Sequence, residues 1–185
     1  MQRIVITGAP GTGKTTLVNL LHEQGYTVHP EMARALIKEQ QELDTHLLPW
    51  ENHPLFGAEL FKRQLAQYQA ADPNKINIYD RGIPDNLGYL RRDGFQNELL
   101  EKKAANFPYY SKVFFTPPWQ DIYAQDEERK EDFSLMLEID EALQDIYRFY
   151  NYHLVEVPRA SPQERLKFVL FHINQFWKAS PLARF

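Results

Sequence analysis

No cysteine occurs in the 185 residues, which removes disulfide scaffolds, thiolate zinc sites and cysteine nucleophiles from consideration. A basic surplus is missing too: 21 lysines and arginines stand against 25 aspartates and glutamates, a net charge of −4. Nonspecific nucleic-acid binders release phosphate counterions with excess positive charge, so nucleic acid is not an expected partner. No apolar run approaches the roughly 18–20 residues of a membrane-spanning helix. The apolar run after Arg3 is too short for a secretory leader. A cytoplasmic protein that does not engage membranes is the expectation. Repeats, low-complexity tracts and linkers are absent, and the six histidines show no metal-ligand spacing.

What is present is an ordinary globular composition, 43% hydrophobic and 14% aromatic, and residues 1–185 are expected to form one domain. Residues 3–7 are β-branched and bounded by Gly8, as a buried strand would be. Helical spacing begins near Gly13, places Leu17, Leu20 and Leu21 together, and stops at Gly25. The run YTVHP predicts a second strand and EMARALIKEQQEL a second helix, while DTHLLPWENHP, with two prolines, reads as a loop. Leu60, Phe61, Leu65 and Tyr68 give residues 55–71 a helical period. INIYD, SKVFFTPPW and YHLVEVP predict three further strands. Residues 134–150 predict a long helix with Leu135, Ile139, Leu143, Ile146 and Phe149 on one side. Ser161-Pro162-Gln163-Glu164 opens a last helix as a capping box. Strands separated by helices predict a three-layer α/β domain with a parallel sheet.

In that frame the stretch GAPGTGKTT is informative. Gly8, Ala9, Pro10, Gly11, Thr12, Gly13, Lys14, Thr15 and Thr16 match the phosphate-loop pattern between a predicted strand and a predicted helix. Glycines let backbone N–H groups wrap a phosphate, and the helix N-terminus adds its partial positive charge. Lys14 would reach the β- and γ-phosphates, and the Thr15 hydroxyl would ligate Mg²⁺. A nucleoside triphosphate is therefore the expected ligand. The Asn-Lys-x-Asp motif that reads guanine in Ras-type GTPases is missing, since NKIN at 74–77 lacks the aspartate. ATP is favoured, with GTP left open.

The strand INIYD ends on Asp80, which fits the Mg²⁺-holding acid of this class but also fits a turn residue before Gly82. Arg81, rather than a water-activating glutamate, follows it. An acid followed by arginine here resembles the small-molecule kinases of the phosphate-loop class, in which the arginine positions phosphate or substrate; a surface ion pair is the plain alternative. Glu31 and Arg34 lie one helical turn apart at a strand end. Glu31 could take the proton of an attacking hydroxyl, or could simply open the helix that it precedes. In DEERKEDF, Arg129 could cover the migrating phosphoryl group, as could Lys130 or, after the fifth strand, Arg159; a solvated charged helix is the alternative. Gln64 and Gln67 could read a nucleobase edge but are read as ordinary exposed helix residues, and Trp50, Trp119 and Trp177 as packing residues rather than base-stacking platforms.

Several segments together, PEMAR (30–34), DRGIPDNLGYL (80–90), FFTPPW (114–119), YAQDEERKEDF (123–133) and VPRASPQERLKFVL (157–170), carry a family resemblance. With the phosphate loop they resemble the predicted ATPases grouped with the ribosylnicotinamide-kinase domain of the bacterial NAD-biosynthesis regulator. The resemblance implies a nucleoside-kinase-like core of five strands in the order 2-3-1-4-5, with a lid at 120–133 after the fourth strand. It implies Gly8 to Thr15 at the triphosphate and Mg²⁺, Glu31 and Arg34 at the acceptor, and Asp80 and Arg81 at the metal and phosphates. It further implies Arg129 on the lid and the residues after Pro158 beside the purine. Asp85 would lie near the acceptor, or cap the helix after Pro84. The expected activity is ATP- and Mg²⁺-dependent transfer to a small-molecule, nucleoside-like acceptor. The alternative is a switch-like ATPase or GTPase whose nucleotide state controls a protein partner.

Overall fold

The computed structural model describes residues 2–120 and 133–179. The lid expected at 120–133 lies outside the described residues except at its two ends, and Arg129 and Lys130 lie outside with it. Five strands are present: β1 (Gln2–Thr7), β2 (Thr27–His29), β3 (Ile76–Asp80), β4 (Lys112–Phe115) and β5 (His153–Glu156). Around them lie α1 (Lys14–Glu23), α2 (Met32–Glu42), α3 (His53–Ala70), α4 (Ile83–Arg92), α5 (Glu98–Ala104), α6 (Phe133–Phe149) and α7 (Pro162–Ala179). Every strand pairing is parallel, in the order β2-β3-β1-β4-β5.

β1 is the central strand, and Ile4, Val5 and Ile6 are wholly buried. Successive strand side chains face opposite sides, so the sheet feeds two cores. Val5, Tyr79 and Val113 enter one with α3, α4 and α6; Ile4, Ile6, Ile78 and Phe114 enter the other with α1 and α7. A strand buried on both faces reads as an unbroken apolar run, which is how it was recognisable. Among the described residues no helix is long and apolar enough to cross a membrane.

Local chemistry sets the helix starts. Asn52 caps α3 by accepting from the Leu55 amide at 3.2 Å, so the loop after α2 ends sooner than its prolines suggested. α5, which sequence reasoning did not predict, starts at a similar cap, Asn97 accepting from Leu100 N at 3.1 Å. The capping box of α7 forms as expected: Ser161 N donates to Glu164 Oε2 at 3.0 Å.

Three expectations are corrected. Trp50 is 63% exposed rather than packed, since it sits in the surface turn before α3. The buried face of α6 runs through Met136, Ile139, Leu143, Ile146 and Tyr147; Phe149, at the helix end, projects outward with the Arg91 guanidinium 4.1 Å over its ring. Gln64 is buried rather than exposed, because α3 packs along α4 and the amide donates to Gly82 O at 3.2 Å. Gln67, on the same helix, donates to Pro30 O at 2.9 Å.

Candidate active site

The phosphate loop turns through three glycines with positive φ, 140° at Gly8, 78° at Gly11 and 80° at Gly13. Only glycine takes such angles without a Cβ penalty. At Gly8 space is limiting as well, since a Cβ would stand 2.3 Å from the Thr116 carbonyl oxygen. Thr116 follows β4 and locks the loop: its amide and hydroxyl both donate to Thr7 O, at 2.8 and 3.0 Å, and its hydroxyl lies 2.7 Å from Thr12 Oγ1. Thr12 in turn donates to Ala9 O at 2.9 Å. Lys14, the first residue of α1, is buried and donates to Ala9 O at 2.7 Å. Burial, with Arg81 close by, brings its ammonium down to about 7, while Asp80, Glu31 and Asp85 pull the other way. Thr15 and Thr16 are exposed at the start of the helix.

The ends of β2 and β3 bring Glu31, Asp80 and Arg81 to Lys14, at the edge where open α/β sheets bind ligands. Thr15 Oγ1 donates to Asp80 Oδ2 at 3.0 Å. Asp80 Oδ1 is buried with no partner among the described residues, and burial raises the carboxyl above its ordinary value. A hydroxyl beside a carboxylate with an unused oxygen fits Mg²⁺, which takes one or two protein ligands and fills its octahedron with phosphate oxygens and water. Among the described residues no group of three or more His, Asp or Glu could hold a metal alone.

Arg81 follows Asp80 in the left-handed region, φ 71°, which an L side chain adopts at a cost of roughly 1–2 kcal/mol. Several contacts hold it there: its amide donates to Ile6 O at 3.0 Å, Nε to Glu31 Oε1 at 3.0 Å, and Nη1 to Asp85 Oδ1 at 3.1 Å. Burial works to raise the Glu31 carboxyl, but Arg81, Lys14 and Arg34 outweigh it and hold it below the ordinary range. Arg34 is exposed in the first turn of α2.

Asp85 is 1% exposed. It accepts from Gly82 N at 2.8 Å, from Tyr147 OH at 2.5 Å and from the Thr7 hydroxyl, besides Arg81. It therefore caps α4 and also anchors Arg81. Arg159, three residues after β5, is half exposed and donates to Pro118 O at 2.9 Å. Sequence reasoning missed Thr7, Thr116 and Tyr147. Each sits in a segment whose apolar pattern explained it already, and a polar residue recurring at a core position was the only signal available.

The AAA domain family matches residues 3–165, and the chain belongs to it. No curated protein matches the sequence. In fold the chain is similar to NadR protein in complex with NR, at 17% identity and a TM-score of 0.71, covering 94% of this chain and 51% of that one. It is similar to deoxyadenosine kinase from M. mycoides with products dCMP and dCDP bound, at 13% identity and TM-score 0.68, covering 95% of this chain and 100% of that one. Thymidylate kinase from Ehrlichia chaffeensis gives 15% identity and TM-score 0.64, over 95% of this chain and 97% of that one. These likenesses establish the phosphate-loop α/β fold with the kinase-type strand order.

Proposed function

We propose that this domain is a cytoplasmic kinase that moves the γ-phosphoryl group of ATP, as its Mg²⁺ complex, to a hydroxyl of a small nucleoside-like acceptor. The observation that carries the reading is the meeting of Glu31 with Arg81, beside Lys14 and Asp80, where Arg81 replaces a water-activating acid. In the reaction, a bond forms between the acceptor oxygen and the γ-phosphorus, and the bond to the β,γ-bridging oxygen breaks. The hydroxyl proton passes to Glu31, ionised in the resting site. The amides of Gly8 to Thr16 and the Lys14 ammonium hold the triphosphate. Thr15 and Asp80 would hold Mg²⁺, which would neutralise charge on the phosphates.

Arg81 faces the migrating group from the acceptor side, with Asp85 fixing its height and Arg34 at the acceptor's edge. Arg129 would cover the phosphates, and Arg159 the rim beside the purine. A nucleoside-like acceptor is supported by the chemistry of the relatives in fold, which act on nucleosides and nucleotides. The test follows γ-labelled ATP and GTP with Mg²⁺ across a pool of nucleosides and small metabolites. Label appearing in a metabolite names the acceptor. Label released only as inorganic phosphate across the whole pool overturns transfer, favours the switch-like NTPase reading and turns the search to protein partners.

A further inference from the structure

The phosphate loop is held from behind by a cation that the chemistry above does not use. Arg165, in the first turn of α7, is 5% exposed, and its Nη1 donates to Thr12 O at 2.9 Å. Its Nε has no partner among the described residues, and no carboxylate among them pairs with the guanidinium. Burial lowers its proton affinity with no acid to offset the effect. A buried, unpaired guanidinium is costly, and proteins normally meet that cost with an opposite charge. Here the group lies directly behind a loop built to receive anions.

Peptide geometry gives the contact its consequence. In a trans peptide the C=O and the following N–H point to opposite sides, and no cis bond occurs among the described residues. Holding Thr12 O from α7 therefore aims the Gly13 N–H the other way, at the N-terminus of α1. Thr12 is pinned at its side chain as well, by Ala9 and Thr116. The Ser161–Glu164 capping box fixes the turn from which Arg165 reaches in.

We infer that Arg165 is a positioning residue of the phosphate site, orienting the Thr12–Gly13 peptide and supplying from behind the loop a positive charge that the bound polyphosphate completes. The inference rests on the nucleotide-binding reading given above. Its test compares ATP, ADP and AMP affinity, with Mg²⁺, in wild type, Arg165→Ala and Arg165→Gln, each shown folded by circular dichroism at the assay temperature. The expected result is a loss of roughly tenfold to a hundredfold for ATP, shrinking from ATP to AMP and partly restored in Arg165→Ala by millimolar guanidinium. Arg165→Gln, which keeps a donor without the charge, should recover less than half of the loss on a logarithmic scale. An equal loss for all three nucleotides, or no loss, overturns the inference. So does failure of both variants to fold, which makes the residue purely structural. Wild type that binds none of the three overturns the underlying reading instead.

Discussion

Arg81 donates to Glu31 at 3.0 Å, joining the residue that follows β3 to the residue that precedes α2. The pair holds the carboxylate ionised and aimed, so Glu31→Gln tests base strength with little change in shape. The amide can still accept from Arg81 but cannot take a proton. Transfer to the acceptor should fall about 10²–10³-fold, with nucleotide affinity changed little. Single-turnover transfer of labelled phosphate, beside a fluorescent-nucleotide titration, separates the two. Undiminished transfer removes Glu31 from the chemistry.

Asp85 gathers donors from Thr7, Arg81, Gly82 and Tyr147 in a site 1% exposed to solvent. Asp85→Ala leaves the Arg81 guanidinium buried with half its partners and should cost about 3–5 kcal/mol. Tyr147→Phe removes one bond to a charged acceptor and should cost about 1.5–3 kcal/mol. Burial and the adjacent carboxylate raise the Tyr147 phenol well above its ordinary value, so it stays a donor at any working pH. Urea titrations of the two variants give the comparison; equal costs would show that Arg81 does not depend on Asp85.

Two glycines with positive φ separate space from conformation. A Cβ on Gly8 would meet Thr116 at 2.3 and 2.4 Å, whereas nothing lies within 4 Å of one on Gly25. Gly25→Ala should cost only the left-handed backbone, about 1–2 kcal/mol, and keep nucleotide binding. Gly8→Ala must push β4 away from the loop and should abolish binding of Mg²⁺-ATP. Binding measured below both melting temperatures decides it, and a Gly8→Ala protein of normal affinity would show that the loop does not need this contact.

The fold was legible because its signals were local: a double-buried strand, a glycine loop, a Ser-Pro-x-Glu cap. The site was legible where a strand end supplied it, as at Asp80, Arg81 and Glu31. What could not be read is what arrives from a distance. Tyr147 is 62 residues from Asp85 and Arg165 is 153 from Thr12, and no local pattern links either pair. Gln64 and Phe149 were misjudged for a related reason. Helical period ranks faces, but packing against α4 decides which face wins.

Asp140 offers the clearest dependence on pH. It lies on the buried face of α6 and accepts from Gln144 Nε2 at 2.8 Å, while its other oxygen has no partner among the described residues. Burial, assisted by Glu156, raises its carboxyl from 3.8 to about 6, against Gln144, Arg159 and Lys14. A folded value above the unfolded one means that the stabilisation is complete below pH 3.8 and is lost as pH rises through about 6. The gap corresponds to on the order of 3 kcal/mol. Asp140→Asn is neutral at every pH and should therefore match wild type below pH 4 and exceed it by about 1–3 kcal/mol at pH 7.5. Urea midpoints at the two pH values measure the difference, and a gain of the same size at both would show that the carboxyl does not titrate in this window.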